Sequence, residues 1–151
     1  MIAIEPFTTE LYEEVLPLLQ AHWREVALYQ DRIQLEVDVA FYLKLQALGS
    51  LTCFTVRDEG RLVGYCVFMS AHHPHYASLF VVRNDVIYMD PEYRGMESMR
   101  LIRFCERHFK GSVPPRTQMM MTWHAKLSNH FKDLLEHLGY TVNEVLLGKL
   151  L

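Results

Sequence analysis

The segment 86–104, VIYMDPEYRGMESMRLIRF, constrains the fold most, because an apolar strand pattern runs through a short turn directly into a helix pattern. A helix that begins right after a strand directs unpaired backbone N–H groups and the positive end of its dipole toward the carboxyl end of that strand. Phosphate groups bind at such helix starts. The segment therefore predicts an anion-binding site, although Glu97 adds a negative charge to the first turn of the helix.

Length and composition limit the classes of protein to consider. The 151 residues suit one domain spanning 1–151, and no linker or repeat divides them. Fifteen basic and 18 acidic side chains give a net charge of -3, so we expect no nucleic-acid partner. We find no leader pattern and no apolar stretch near the roughly 18 residues that a membrane span needs, so no membrane association is expected. Three cysteines, each within an apolar run, indicate reduced thiols and a cytoplasmic location.

Hydrophobic periodicity and turn signals predict an alternation of strands and helices, which indicates a mixed α/β or α+β layer with helices on both faces of one sheet. The crossover between strands 79–89 and 117–123 should give one parallel pair. In chain order the patterns predict strand 2–5, a helix capped by Thr8 or Thr9, a second helix from Asp38 to Gly49, strands 51–57, 61–70 and 79–89, helix 96–110, strand 117–123, a helix capped by Ser128 or Asn129 that ends at Gly139, and strand 140–147.

This order, with the segments HHPHY, NDVIYMDPEYRG, RLIRF and LLEHLGY, resembles the GNAT N-acetyltransferase superfamily over nearly the whole chain. The segments are similar to those of small acetyltransferase-like proteins encoded by phages and prophages. The resemblance implies a mixed, mostly antiparallel sheet with a splayed parallel pair. It also implies an N-acetyltransferase that uses acetyl-CoA as cosubstrate and moves the acetyl group directly to a primary amine of a small molecule or protein. For a phage protein the location would be the host cytoplasm.

The resemblance places the pantetheine of acetyl-CoA along the strand before the turn and the pyrophosphate at the turn and helix start. The family's loop carries Arg or Gln, then Gly, then Gly or Ala at the positions of Arg94, Glu97 and Met99, and only Arg94 matches. Either Glu97 and Met99 point away and the backbone N–H groups still bind, or the site no longer takes CoA. The implied cofactor-binding residues are Ile87, Tyr88, Met89, Arg94, Gly95, Met96, Glu97, Ser98 and Met99.

Acetyl transfer to an amine needs a base, because an ammonium group has no lone pair for attack. Asp85 is the candidate general base, since it directly precedes the cofactor strand; the alternative is an aspartate exposed to water. Many family members place an acidic tyrosine where this chain has Leu135. The weak candidate acids are Ser128, His130 and Tyr140, whose alternative roles are helix capping for Ser128 and packing for the other two.

Aromatic and imidazole side chains are weak candidates for reading the acceptor substrate. Trp23 and Tyr29 lie between the first two helices, and His72, His73 and His75 precede the cofactor strand in a loop expected at the mouth of the cleft. Trp23 could equally belong to the core. The histidine spacing is a poor match to structural zinc sites, so no metal is predicted.

Three functions remain open at this point. Active acetyl transfer is favoured by Asp85 and by the segment 88–95, whereas Glu97, Met99 and Leu135 favour a non-catalytic phage interaction or structural protein on the same fold. A CoA-binding regulator without turnover is the third. The final strand, 142–147, could pair across a two-fold axis in a homodimer or form an edge buried within the monomer.

Overall fold

A computed structural model describes residues 1–112, 114, 117–126 and 130–150, and its five strands form one sheet in chain order. Each of the first four strands is antiparallel to its neighbour, and the fifth strand is parallel to the fourth. This confirms the predicted mixed, mostly antiparallel architecture. The elements are β1 (Ile2–Glu5), α1 (Thr9–Val26), α2 (Val39–Ala47), β2 (Leu51–Asp58), β3 (Arg61–His73), β4 (Tyr76–Met89), a 3₁₀ turn (Pro91–Tyr93), α3 (Met96–Ser112), β5 (Gln118–Thr122) and α4 (His130–His137).

Short polar side chains and a glycine fix the ends of the first two helices as predicted. The Thr8 side chain accepts a hydrogen bond from the Leu11 N–H (3.2 Å), and Asp38 accepts one from the Phe41 N–H (2.9 Å). Each satisfies a donor that the first turn of a helix leaves unpaired. Gly49 ends α2 with a φ of +67°, a conformation in which side chains are strained. The Ser128 and Asn129 cap lies outside the described residues.

The sheet separates two apolar clusters because successive strand residues point to opposite faces. The face toward α3 buries Phe54, Phe68, Leu101 and Phe109. The opposite face, toward α1 and α2, buries a cluster that includes Tyr65 and Tyr88. Among the helices that the structure describes, none combines the length and apolarity needed to cross a membrane.

β4 loses one of its two neighbouring strands partway along its length. Its residues 79–83 pair with 118–122 of β5, and no pairing with β5 is seen beyond Arg83 within the described residues. β3 stays paired, but with a shift in register: Val67 faces Val86 and Phe68 faces Asn84. Asp85 is therefore the extra residue of a β-bulge. The pairing of β4 with β5 ends just before this bulge, which agrees with the splayed parallel pair that the family resemblance implies.

The predicted last strand, 140–147, is wrong. The described segment 140–150 forms neither helix nor strand, and Leu146 and Leu147 are 94% and 90% exposed. Of this segment, Tyr140 packs on the molecule, with its ring centroid 6.2 Å from that of Trp123. An alternating apolar pattern reports which side chains favour burial, but not whether a strand edge lies within reach.

Candidate active site

The carboxyl half of β4 presents backbone groups to the side that β5 has left. The Asp90 N–H donates to the Val63 carbonyl of β3 (2.8 Å). Because hydrogen-bonding directions alternate along an antiparallel strand, the N–H and C=O groups of Met89 and Ile87 point the opposite way, into the splay. The Met89 carbonyl accepts from Arg94 Nε (3.0 Å). An extended ligand could pair with the remaining groups as an added strand would.

The start of α3 lies at the same end of β4. Gly95 has a φ of +95°, and a Cβ there would meet no atom within 4 Å, so the space above the turn is open. The first helical hydrogen bond runs from the Met99 N–H to the Gly95 carbonyl (3.1 Å). The N–H groups of Met96, Glu97 and Ser98 precede that bond and therefore have no partner within the helix. Strand edge and helix start together form a site suited to an extended anion.

The two residues that depart from the family's loop pattern leave this helix start uncovered. The Glu97 carboxylate forms an ion pair with Arg100 one turn further along α3. Its charge is therefore compensated within the helix. The Met99 side chain is 37% exposed. Within the described residues, no side chain is seen to cap the first N–H groups of α3.

The Arg94 guanidinium is directed at α1 in this structure. It donates to both carboxylate oxygens of Glu25 (3.0 and 2.6 Å), and it lies 5.4 Å from the centre of the Tyr88 ring. The hydrogen bond to Glu25 raises the pKa of Arg94. Sequence reasoning missed Glu25, although an acidic residue in the last turn of a helix is unfavourable to the dipole and signals a basic partner.

Two further side chains connect the end of α1 with the splay. Lys126, which follows β5, donates to the Val26 carbonyl (2.5 Å). The His22 ring packs on the Tyr88 ring, with 5.4 Å between their centres. Burial lowers the pKa of His22, and the nearby positive charges act in the same direction against the opposing effect of Glu25. The carboxyl end of α1 therefore covers one side of the gap between β4 and β5.

Asp85 is half-buried at the bulge. Its Oδ2 accepts a short hydrogen bond from the hydroxyl of Tyr42 in α2 (2.6 Å). Burial, with the adjacent carboxylate as a second cause, raises the pKa of Tyr42, so this hydroxyl remains a donor. Asp85 is therefore a positioned acceptor on the face toward α1 and α2. Nothing in the sequence pattern connected Tyr42 with Asp85, because 43 residues separate them.

The candidate acids lie elsewhere. The Tyr140 hydroxyl donates to Glu106 of α3 (2.9 Å), and burial raises its pKa to about 12. Tyr140 packs on the α3 face, whereas Asp85 faces α1 and α2. The His130 side chain is fully exposed, 3.8 Å from Asp133. Leu135, where the family often has a tyrosine, is a buried core residue, and Ser128 lies outside the described residues.

The weak acceptor candidates are dispersed. His72 pairs with Phe80 near the tip of the β3–β4 hairpin. Phe80 precedes Asp85 by five residues, so this pair lies about 17 Å from Asp85 along the strand. His73 and His75 lie at the tip itself, so the histidine loop is at the opposite end of β4 from the helix start. Trp23 is half-buried in a shallow depression on α1, and Tyr29 is 43% exposed. The described residues contain no cluster of three metal-ligating side chains.

Comparison with known proteins gives structural relatives but no sequence relatives. No protein-family model matches the chain, and the search of curated proteins found no match. A GCN5-related N-acetyltransferase from Ralstonia eutropha JMP134 superposes with a TM-score of 0.70 at 17% identity, over 99% of both chains. A ribosomal-protein-alanine N-acetyltransferase from Brucella melitensis biovar Abortus 2308 gives 0.67 and 18%, over 100% of this chain and 99% of its own.

A predicted acetyltransferase from Clostridium acetobutylicum, crystallised with acetyl-CoA, gives a TM-score of 0.66 at 9% identity, over 99% of this chain and 96% of its own. At these identities the likeness is one of architecture. It extends over the whole sheet and its helices. The chain therefore has the fold of the GCN5-related (GNAT) N-acetyltransferases.

Proposed function

We propose that this protein is an acetyl-CoA-dependent N-acetyltransferase that moves an acetyl group directly to a primary amine. The observation that carries the proposal is the strand edge of Ile87 and Met89, open beyond the end of β5 and continuous with the uncapped start of α3. The first would pair with the pantetheine, and the second would hold the pyrophosphate. The Glu97–Arg100 ion pair supports the alternative in which the loop still binds through its backbone.

The acceptor amine would bind on the face of the sheet toward α1 and α2. The amine nitrogen forms the new C–N bond with the acetyl carbon, the C–S bond breaks, and sulfur leaves with the electron pair as a thiolate. Asp85 would take one proton from the ammonium group, which frees the lone pair for attack, and Tyr42 would act as a positioning residue that holds its carboxylate. The second proton, which the nitrogen loses after the C–N bond forms, would pass through water to the thiolate. With Leu135 buried and Tyr140 bonded to Glu106, we assign protonation of the thiolate to water. The three buried free cysteines agree with direct transfer in a reducing cytoplasm.

The second candidate is a non-catalytic interaction or structural protein, of the phage-encoded kind, that has lost CoA. One observation favours it: the hydrogen bonds of Arg94 go to Glu25 and to the Met89 carbonyl rather than toward the open loop. In this reading α1 is fastened across the splay by Arg94 and by Lys126.

Thermal unfolding with and without acetyl-CoA separates the two candidates. Ligand at about 100 times its Kd should add about 2.7 kcal/mol of stability, which raises the Tm by several degrees. No shift at millimolar acetyl-CoA contradicts the transferase.

A matched pair of variants at an exposed position tests the helix start itself. Met96→Pro removes one N–H at the first helical residue, where proline is well tolerated, and Met96→Leu keeps it. We expect a Tm near the wild-type value for both unliganded variants. The acetyl-CoA shift should fall for Met96→Pro alone. Equal shifts would show that the backbone of α3 does not hold the pyrophosphate.

A further inference from the structure

A cavity of about 270 Å³ lies between the sheet and the first two helices. Apolar side chains of α1 and of the central strands form its walls, among them Leu11, Val15 and Val67. Residues 35–37, between the two helices, close one side. Because a dry apolar cavity of about 150 Å³ binds benzene, this one can hold a ring with a short side chain or a short alkyl chain.

The charged residues that line the cavity are all acidic. They are Glu36 and Asp38, and no lysine, arginine or histidine is among the lining residues. Asp85 adds a third carboxylate just beyond the wall, because the Tyr42 side chain lines the cavity and donates to it. An apolar cavity with carboxylates at its boundary is complementary to a ligand with an apolar body and a positive charge.

An unpaired donor lies behind the wall of the cavity. Tyr65 lines the cavity and is 3% exposed, and its hydroxyl has no hydrogen-bond partner among the described residues. Buried hydroxyls almost always have a partner in native proteins, so this one requires an explanation. Burial raises the pKa of Tyr65, and the nearby Tyr42 and Asp85 add to the effect, so the hydroxyl stays neutral.

We propose that this cavity binds an amphipathic primary amine, with one ammonium group on an aromatic or aliphatic body. The amino group would lie at the end formed by Tyr65, Tyr42 and Asp85, and the body would lie against α1. The inference rests on the proposed function, because it identifies this amine as the acetyl acceptor. A polycation or a polar sugar amine would leave charged or hydroxyl groups without partners in the apolar part.

Three small probes test the two halves of this ligand separately by calorimetric titration. They are 2-phenylethylamine, 2-phenylethanol, which lacks the charge, and ethanolamine, which lacks the apolar body. Each is titrated into the protein alone and into the protein with CoA, so that an ordered binding sequence is not missed. We expect the Kd of 2-phenylethylamine to be lower than either control by about tenfold or more, which is about 1.4 kcal/mol. Equal or undetectable binding of all three in both conditions overturns the proposal.

Variants locate the binding within the molecule. Val15→Phe fills the cavity from α1 and should abolish binding, whereas Leu18→Phe, on the same helix and packed on the same cluster but outside the cavity, should retain it. Tyr65→Phe removes the unpaired hydroxyl and should weaken amine binding severalfold without lowering the Tm. If the Val15→Phe variant binds the amine as tightly as the wild type does, the ligand lies elsewhere and the assignment is overturned.

The outcomes for the cavity and for the proposed function remain distinct. An acetyl-CoA shift without amine binding leaves the transferase standing and overturns the acceptor class. Amine binding without an acetyl-CoA shift supports the cavity as a ligand site and removes acetyl transfer. With both, mass spectrometry should detect N-acetyl-2-phenylethylamine, and its absence would overturn the acceptor assignment.

Discussion

The two faces of the sheet use the same strands in different ways. On the α3 face the rings of Phe68, Phe54, Phe109 and Trp123 meet edge to face, with 4.9 to 5.9 Å between Phe68 and each of the others. On the face toward α1 and α2, alternate residues of the same strands surround a cavity and an unpaired hydroxyl. Dense packing on one face supplies stability, and that leaves the other face able to retain space for a ligand.

The largest test of this difference is a matched pair of leucine truncations. Leu101 of α3 is 0% exposed on the dense face, and Leu11 of α1 is 7% exposed beside the cavity. Leu101→Ala should cost about 4 kcal/mol, toward the upper end of the range for buried leucines, and Leu11→Ala about 2 to 3 kcal/mol. Side chains beside an existing cavity already lack contacts on one side, so less is lost. Denaturant unfolding measures both, and equal costs would contradict the difference between the faces.

Much of this architecture was predictable from local sequence. The hairpin of β2 and β3, the caps at Thr8 and Asp38 and the strand-to-helix segment all have turn or periodicity signals that act over a few residues. The helix predicted over 96–110 forms as α3 and buries Leu101, Ile102, Cys105 and Phe109. The helix start followed from the same local pattern, whereas the open strand edge was implied by the family resemblance.

The parts that sequence could not supply depend on distant residues. The partners Tyr42 and Glu25 reach Asp85 and Arg94 from 43 and 69 positions away, and no periodicity records such pairs. The β-bulge that turns Asp85 toward α2 is a register shift between two strands, and a strand pattern read alone does not reveal it. The segment 140–147 has a strand pattern without a strand partner, and the histidine loop was placed at the wrong end of β4 because strand length sets that distance.

The second test concerns the bulge that separates the two faces at Asp85. The buried Asn84 side chain lies on one side of the register shift and donates to the carbonyls of Val67 (3.2 Å) and Val86 (3.0 Å), which face each other on the other side. Asn84→Ala should cost about 2 to 3 kcal/mol, since buried carbonyls lose their donor. The exposed Asn143→Ala is the control and should change stability by less than about 0.5 kcal/mol. A small effect of Asn84→Ala would mean that the bulge is set by the packing of the faces instead.

The third test compares two tyrosines on the cavity face, for which we expect opposite signs. Tyr42→Phe removes a hydrogen bond to a carboxylate and should destabilise by about 2 kcal/mol. Tyr65→Phe removes a buried hydroxyl without a partner and should stabilise by about 1 kcal/mol. The free energies of unfolding at neutral pH decide this. If Tyr65→Phe destabilises the protein, the hydroxyl has a partner such as an ordered water, and the cavity is less available to a ligand.

The smallest expected effect is a pH dependence carried by one histidine on each face. Burial lowers the pKa of His22 on the cavity face and of His108, which lies against Phe54 on the dense face. A histidine whose pKa is lower in the folded protein is protonated first in the unfolded chain. The stabilising contribution of each histidine is therefore fully present above pH 6.5, the ordinary pKa of histidine, and it declines as the pH falls below that value.

Unfolding free energies at pH 7.5 and 5.5 should show this decline, and His22→Gln should reduce it more than His108→Gln because His22 is the more deeply enclosed of the two. His22 also packs on Tyr88, beside the proposed pantetheine strand. Its protonation adds a positive charge beside the site proposed for an anionic ligand and should therefore strengthen acetyl-CoA binding over the same pH range, whereas His108, on the opposite face, should have no such effect. A decline that is unchanged in His22→Gln, with acetyl-CoA affinity independent of pH, would show that the end of α1 is not coupled to the site.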